Sequence, residues 1–231
     1  MYWQEDTEQP ETAATDAVVD VLFALQCRSL PVDHAHALST ALIDAVPWLA
    51  DEPFAAIHTI HVAGSQNGWE RPEHGGDQHL LLSRRTKLSI RVPRERVGDL
   101  TAALQGRTFD IAGSALTIGS GKERPMSQDG TLFARYVAVP ADAAGDDEDA
   151  FLTWAVAELA TQDIRVRKAL CGKTTPLATP HGLLMTRSLM LASLTPDESL
   201  HLQQYGLGPY RTMGCGIFIP HKGIDAVKKS G

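Results

Sequence analysis

The sequence predicts an α+β fold in which the element order β-α-β-β-α-β occurs twice. The first observation behind this prediction is that apolar residues switch between the two-residue spacing of strands and the spacing of amphipathic helices. The second is a short polar linker at 126–130, after which the same order begins again. Two ferredoxin-like domains in tandem are the simplest architecture with this order. We place them at 17–125 and 131–231, after an acidic arm at 1–16, with a glycine-rich loop at 206–216 in the second domain.

The elements of the first domain follow from its changes of hydrophobic spacing. Val18–Leu30 is rich in β-branched and apolar residues, which is typical of a strand. Asp33 is a good N-cap for an amphipathic helix that reaches Ala50, and Gly64–His79 is a loop of about sixteen residues. The other predicted elements are strands at Ala56–Val62, Leu80–Val92 and Phe109–Ile118 and a helix at Arg94–Gln105.

The second domain repeats the pattern and adds a clear helix start. Thr195 and Glu198 form a capping-box signature with proline at the first helical position, which predicts a short helix at Asp197–Gln204. The glycine-rich loop then falls between this helix and the last strand. The other predicted elements are strands at Leu132–Val139, Ile164–Leu170, Leu183–Leu194 and Ile217–Ile219 and a helix at Asp147–Thr161.

The net charge of -7 does not exclude a nucleic-acid partner, because the acidic residues are unevenly placed. Eleven of the 28 acidic residues lie in two runs, one within the first twenty residues and one at 142–149. Without them, 17 acidic residues face 21 Lys and Arg. The rest of the chain is therefore mildly basic.

Cysteine usage and hydropathy predict a cytoplasmic protein with no membrane partner. Cys27, Cys171 and Cys215 are odd in number and far apart, which favours neither a disulfide framework nor a zinc site. Reduced cysteines are typical of the cytosol. The chain shows no long apolar run and no cleavable signal.

Four glycines near the C-terminus follow the pattern G-x-G-x-x-x-x-x-G-x-G: Gly206, Gly208, Gly214 and Gly216. Glycine reaches positive φ without penalty and leaves backbone amides uncovered. The glycine stretch, residues 206–216, is therefore predicted to form a concave run of amide donors that bind phosphate. It matches neither the Walker loop nor the dinucleotide fingerprint. Arg211, inside the stretch, has the strongest claim to contact phosphate.

The tandem order and this glycine pattern together resemble the sixth family of CRISPR-associated proteins, endoribonucleases that cut precursor CRISPR RNA in its repeats. Gln203–Pro209 and Met213–Gly216 are similar to the glycine loop of the Cascade-associated branch. Leu30–His34 and Asn67–Pro72 look most like the subtype named after Myxococcus.

The resemblance implies a reaction that uses no metal and no cofactor. The ribose 2′-hydroxyl attacks the phosphorus, which leaves a 2′,3′-cyclic phosphate and a 5′-hydroxyl. The implied partners are CRISPR repeat RNA, in precursor and mature form, and other Cas subunits of a Cascade-like effector complex.

The family also implies a histidine at the start of the first helix that faces the glycine stretch. His34 and His36 are the candidates, and their side chains point roughly 200° apart on a helix. We favour His36, because His34 falls beside the apolar stripe of the helix. His58 and His61 face opposite sides of their predicted strand, so we expect one to be buried while the other could line the cleft.

Basic residues form two candidate tracks for the RNA stem, because A-form RNA is held mainly through phosphates and 2′-hydroxyls. The alternative for each is an ordinary solvated surface. The first track is Arg84, Arg85, Lys87 and Arg91, the second is Arg165, Arg167, Lys168 and Lys173, and Lys222 follows the last strand.

Two other functions fit the same sequence. One is a non-catalytic subunit that binds repeat RNA without cutting it. The other is a tandem ferredoxin regulator whose glycine loop binds a small anion, which fold alone does not exclude.

Overall fold

The first domain is built on an antiparallel sheet covered by two helices. The computed structural model describes residues 17–61, 78–139 and 147–221. The strands are β1 (Val18–Gln26), β2 (Ser29–Pro31), β3 (Ala56–Ile57), β4 (His79–Leu81), β5 (Lys87–Pro93), β6 (Thr108–Ile111) and β7 (Ser114–Pro125). The helices are α1 (Ala35–Ala45) and α2 (Val97–Leu104), with short 3-10 turns at Pro47–Ala50 and Arg94–Arg96.

The main sheet of this domain has the strand order β3-β5-β1-β7-β6, and every neighbouring pair is antiparallel. β2 and β4 form a separate two-stranded sheet. Alternate residues of β1, Val19, Val21 and Phe23, are buried in the core, where Leu38 and Leu42 of α1 also lie. This two-residue alternation on β1 and the apolar face of α1 are what place the helix on the sheet.

The second domain has a four-stranded antiparallel sheet with the order β11-β8-β10-β9. The N-cap Asp147 accepts hydrogen bonds from two amides in the first turn of the first helix, and the predicted capping box of Thr195 and Glu198 begins the second helix. The elements are β8 (Leu132–Ala138), α3 (Glu148–Thr161), β9 (Lys168–Thr179), β10 (Gly182–Ala192), α4 (Pro196–Tyr205), a 3-10 turn at Arg211–Met213 and β11 (Ile219–Pro220).

Both sheets place the first strand of the unit in the centre, beside the third and fourth strands, and the second strand at an edge. This is the ferredoxin-like arrangement, so the predicted α+β fold with tandem ferredoxin-like domains is confirmed. Residues 126–130 connect β7 to β8. Within the described ranges, no helix is both long and apolar enough to cross a bilayer.

Several predicted boundaries of the first domain are wrong. The first helix begins at Ala35, and at Pro47 a 3-10 turn replaces the predicted continuation to Ala50, because proline cannot continue an α-helix. The predicted strand Leu80–Val92 is two strands separated by a turn, in which the Thr86 amide donates to the Ser83 carbonyl over 3.0 Å.

The hairpin of β9 and β10 is longer than predicted. β9 runs to Thr179 through Pro176, whereas the sequence prediction ended that strand at Leu170. Proline is tolerated there because β9 is at the edge of its sheet, where one side of the strand needs no hydrogen-bond partner. The predicted acidic arm and most of the predicted loop Gly64–His79 lie outside the described residues.

Candidate active site between the two domains

The glycine stretch crosses itself at its two ends, and this crossing requires glycine. All four glycines have positive φ, from 64° to 87°. A Cβ on Gly206 would overlap the carbonyl oxygen of Gly216, and a Cβ on Gly216 would overlap the carbonyl of Leu207. The Leu207 amide donates to the Gly216 carbonyl over 3.1 Å at this crossing. The pattern therefore encodes a closed loop whose crossing leaves no room for a side chain at Gly206 or Gly216.

Most amides of the stretch are used inside the protein, which corrects the expectation of an open run of donors. The Gly216 amide donates to the Tyr136 carbonyl over 2.7 Å, and the Gly206 amide donates to Leu202. Six amides make such bonds, those of Gly206, Leu207, Met213, Gly214, Cys215 and Gly216. The amides that take no part in these bonds are those of Gly208, Tyr210, Arg211 and Thr212.

The stretch is docked on the first domain by side chains from its own domain. Arg211 donates from Nη1 to the Pro53 carbonyl over 2.9 Å and from Nη2 to the Phe54 carbonyl over 3.5 Å. The ring of Phe54 also meets Tyr205 edge to face, with centroids 5.1 Å apart. Burial, with the nearby charge of Arg91, lowers the pKa of Arg211 to about 10, so the guanidinium stays charged at neutral pH. Arg211 thus joins the two domains, and its contact with phosphate stays a prediction.

Arg91 holds the same stretch from the opposite side. From the first sheet it donates through Nη1 to the carbonyl of Gln203, before the stretch, and to that of Phe218, after it. Its Nε and Nη2 bind both carboxylate oxygens of Asp20, at 2.8 and 3.2 Å. Arg124 donates to the same carboxylate over 2.8 Å.

The placement of Arg91 on an exposed RNA track is wrong, because only 1% of its surface is exposed. Lys87 and Arg91 lie on the same face of β5. Lys87 is exposed to solvent, whereas Arg91 is covered by the second domain. Burial alone would raise the pKa of Asp20, but the charge of Arg91 and the contact with His58 hold that pKa well below its usual range. The pair is thus a buried ion pair.

His58 lies beside this pair, with Nε2 3.4 Å from Asp20 Oδ1. Burial lowers its pKa, against the opposing attraction of Asp20, so the imidazole is neutral at neutral pH. His58 is thus the less exposed member of the His58 and His61 pair, although the strand that carries the predicted alternation ends at Ile57.

His34 has a structural role, and its place among the catalytic candidates is wrong. The ring is 2% exposed and both nitrogens are occupied. Nε2 accepts from the Ile60 amide over 2.9 Å, so Nδ1 carries the proton and donates to the Pro31 carbonyl over 2.8 Å. His34 thus ties the start of α1 to the chain segment after β3.

His36 is half-buried at the start of α1, a helix that lies beside the turn Arg211–Met213 of the glycine stretch. Ala35 and Ser39 are buried on this helix although neither belongs to the apolar core of the first domain. The second domain approaches the same end of the helix, where the Ala178 amide donates to Asp33 Oδ2 over 2.8 Å. Ala35 and Ser39 therefore mark the side of α1 that the second domain covers. By helical geometry His36 lies about 60° from Ser39, at the edge of that side.

Comparison with known proteins identifies the family. The family model described as Cas6 Crispr matches residues 19–223. A relative from Myxococcus xanthus (strain DK1622), described as the CRISPR-associated endonuclease Cas6, is 30% identical over 214 residues, which is 92% of this chain and 86% of the relative. This chain belongs to the Cas6 family. The predicted family and its Myxococcus-like character are confirmed, and with them the assignment as an endonuclease.

Solved structures with the Cas6 fold agree in architecture. A structure described as CRISPR associated protein Cas6 matches with a TM-score of 0.62 at 12% identity, over 89% of this chain and 100% of that one. A Cas6-related protein from Pyrococcus furiosus gives a TM-score of 0.62 at 12% identity, over 87% and 97%. The CRISPR endoribonuclease Cse3 bound to 19-nucleotide RNA gives 0.50 at 15% identity, over 88% and 98%. At these identities the likeness shows the fold.

In this Cas6-family chain the first basic track is shorter than predicted. Arg84 and Arg85 are exposed in the turn between β4 and β5, and Lys87 is exposed at the start of β5. Arg28 lines the same groove as Arg84, together with Cys27, Ser29 and Thr117. Sequence analysis missed Arg28, because nothing local shows that β2 and β4 pair beside it.

The second basic track is exposed, but one of its members is engaged. Arg165, Lys168 and Lys173 are exposed, with Lys173 inside β9 rather than in a loop. Arg167 donates to Glu198 over 2.6 Å. Partial burial raises the pKa of Glu198, but hydrogen bonds from Arg167 and backbone amides outweigh it and lower the pKa to about 2. Lys222 lies outside the described residues.

Proposed function

We propose that this Cas6-family chain is a metal-independent endoribonuclease that cleaves precursor CRISPR RNA within its repeats. The upstream ribose 2′-hydroxyl attacks the phosphorus, the bond from phosphorus to the 5′-oxygen breaks, and the products carry a 2′,3′-cyclic phosphate and a 5′-hydroxyl. This reaction needs a base for the hydroxyl proton, an acid for the leaving oxygen and donors for the charge on the phosphorane.

The observation that carries the proposal is the docking of the glycine stretch beside the start of α1. Arg91 and Arg211 fix the stretch against the first domain. His36 borders the same interface from α1. We assign His36 as the general base. The four amides at 208 and 210–212 are the donors proposed for the phosphorane charge, since the other amides are used within the protein.

The exposed basic residues complete the proposed RNA site. Arg84, Arg85 and Lys87 lie on the first domain, and Lys168 and Lys173 lie on the second. Side chains of this kind hold RNA through phosphates and make affinity strongly salt-dependent. Retention of the mature RNA in a Cascade-like complex with other Cas subunits, in the cytoplasm, belongs to the same proposal.

We expect cleavage of the cognate repeat RNA to proceed at an unchanged rate in excess EDTA, and to stop when the ribose upstream of the scissile bond is 2′-deoxy. The reason is that the 2′-hydroxyl is the nucleophile and no metal-bound water is needed. Single-turnover assays on a gel measure both effects. A matched RNA with the 2′-deoxy sugar one nucleotide downstream should be cut normally.

The product ends provide a second readout of the same experiment. A 2′,3′-cyclic phosphate blocks 3′-end labelling of the upstream fragment, even after phosphatase treatment, until acid opens the ring and phosphatase then removes the monophosphate. Cutting of the upstream 2′-deoxy RNA, or loss of cutting in EDTA, contradicts the proposed chemistry.

A further inference from the structure

His61 is an exposed histidine near the glycine stretch, and Thr59 contacts its ring. Thr59 Oγ1 lies 2.7 Å from His61 Nε2. The methyl group of the same threonine abuts Gly214, because a Cβ on Gly214 would come within 2.7 Å of Thr59 Cγ2. One residue thus orients His61 and contacts the glycine stretch. This arrangement places His61 next to the stretch.

The second domain approaches the other side of the ring. The rings of His61 and Tyr136 have centroids 6.3 Å apart at 39°. The Tyr136 carbonyl accepts the Gly216 amide over 2.7 Å, so the tyrosine sits directly under the end of the stretch. His61 therefore lies between the two domains. Thr59, which contacts it, packs on Gly214, and Tyr136, whose ring is near it, bonds to Gly216.

The segment that carries His61 is fixed from the first helix. The Ile60 amide donates to the buried His34, two residues before His36. The start of α1 and the segment 59–61 are thus held as one unit against the glycine stretch. His58, three residues before His61, is paired with Asp20 through Nε2 and belongs to the ion pair of Asp20 and Arg91.

We infer that His61 is a catalytic residue, the general acid that protonates the 5′-oxygen as it leaves. The inference rests on the proposed function, in which His36 takes the 2′-hydroxyl proton. As the bond from the 2′-oxygen to phosphorus forms and the bond to the 5′-oxygen breaks, the imidazolium of His61 gives its proton to that oxygen. Proton exchange with water then restores both histidines.

The environment of His61 suits an acid. The residue is exposed, so a bound substrate can reach the ring. An imidazolium has two N–H groups, so Nε2 can donate to the Thr59 hydroxyl oxygen while the other N–H supplies the transferred proton. The hydrogen bond to Thr59 persists after the transfer, which keeps the ring oriented through the reaction.

The test compares normal RNA with RNA in which sulfur replaces the bridging 5′-oxygen at the scissile bond. A thiolate leaves without protonation, so this substrate needs no general acid. We expect His61→Ala to slow single-turnover cleavage of normal RNA by about 10²–10⁴-fold. We expect it to cut the sulfur-containing RNA at close to the wild-type rate, whereas His36→Ala stays slow on both RNAs.

The controls separate chemistry from folding and binding. His181→Ala, at an exposed histidine on the β9–β10 turn, should be normal on both substrates. Repeat-RNA affinity and melting temperature should be unchanged in His61→Ala. Full activity of His61→Ala on normal RNA, or an equal loss on both substrates, overturns the inference and leaves the proposed function standing. Failure of the wild-type protein to cut either RNA overturns both.

Discussion

Replacing Arg91 by methionine is expected to lower the free energy of unfolding by about 3–5 kcal/mol. The substitution leaves the Asp20 carboxylate buried without its bidentate partner and removes the donors to Gln203 and Phe218. A carboxylate stripped of its partner in a buried site keeps its desolvation cost, which is the source of the large effect. Urea unfolding followed by circular dichroism measures it.

Arg124→Met is the matched control, because Arg124 binds the same carboxylate but its side chain is 49% exposed. We expect it to cost about 0–1 kcal/mol. The Arg91 variant should also cut RNA more slowly at temperatures where it is folded, since both ends of the glycine stretch lose their anchor. Equal, small losses of stability in the two variants would show that Arg91 does not join the domains as described.

Gly216→Ala is expected to destabilise the protein by about 3–5 kcal/mol, the sum of a strained left-handed backbone and an overpacked contact. The glycine has φ 64°, and an added Cβ would overlap the carbonyl of Leu207. The Leu207 carbonyl cannot move away from Gly216 without breaking the hydrogen bond from the Leu207 amide to the Gly216 carbonyl, which closes the loop. Thermal unfolding of the variant, with repeat-RNA cleavage below its melting temperature, measures the effect.

Gly106→Ala separates the two causes. Gly106 also has positive φ, 81°, but a Cβ there would meet nothing within 4 Å. Gly106→Ala should therefore lower the free energy of unfolding by only about 1 kcal/mol, from backbone strain alone, and keep full activity. If Gly216→Ala lowers the free energy of unfolding no more than Gly106→Ala does, Gly216 and the Leu207 carbonyl are not in the close contact described here.

The fold could be predicted from the sequence because its signals are local. Hydrophobic spacing marked the strands and helices in order, and the capping box at Thr195 marked the start of α4. Pro47 ended the first helix for a local reason, but two other boundaries that failed depended on contacts distant in sequence. The edge position of β9 lets it run through Pro176, and the pairing of β2 with β4 separates β4 from β5.

The site was predicted less completely than the fold. The four glycines were located, but their role changed from an open run of amide donors to a closed crossing, because the pattern does not show that Leu207 and Gly216 meet or that the Gly216 amide bonds to Tyr136. Arg91 looked like a solvated strand residue, and its partner Gln203 lies 112 residues away. Thr59 and Tyr136 have no sequence signal, since only the docking of the two domains brings Thr59 to Gly214 and Tyr136 to His61.

The central claim is that a histidine on α1 and the glycine stretch form one catalytic site across the domain interface. The most direct test is single-turnover cleavage of repeat RNA by His36→Ala, with Thr40→Ala, at an exposed position of the same helix, as control. The claim predicts a rate about 10²–10⁴-fold lower for His36→Ala, with unchanged RNA affinity, and a normal rate for Thr40→Ala. A wild-type rate for His36→Ala would contradict it.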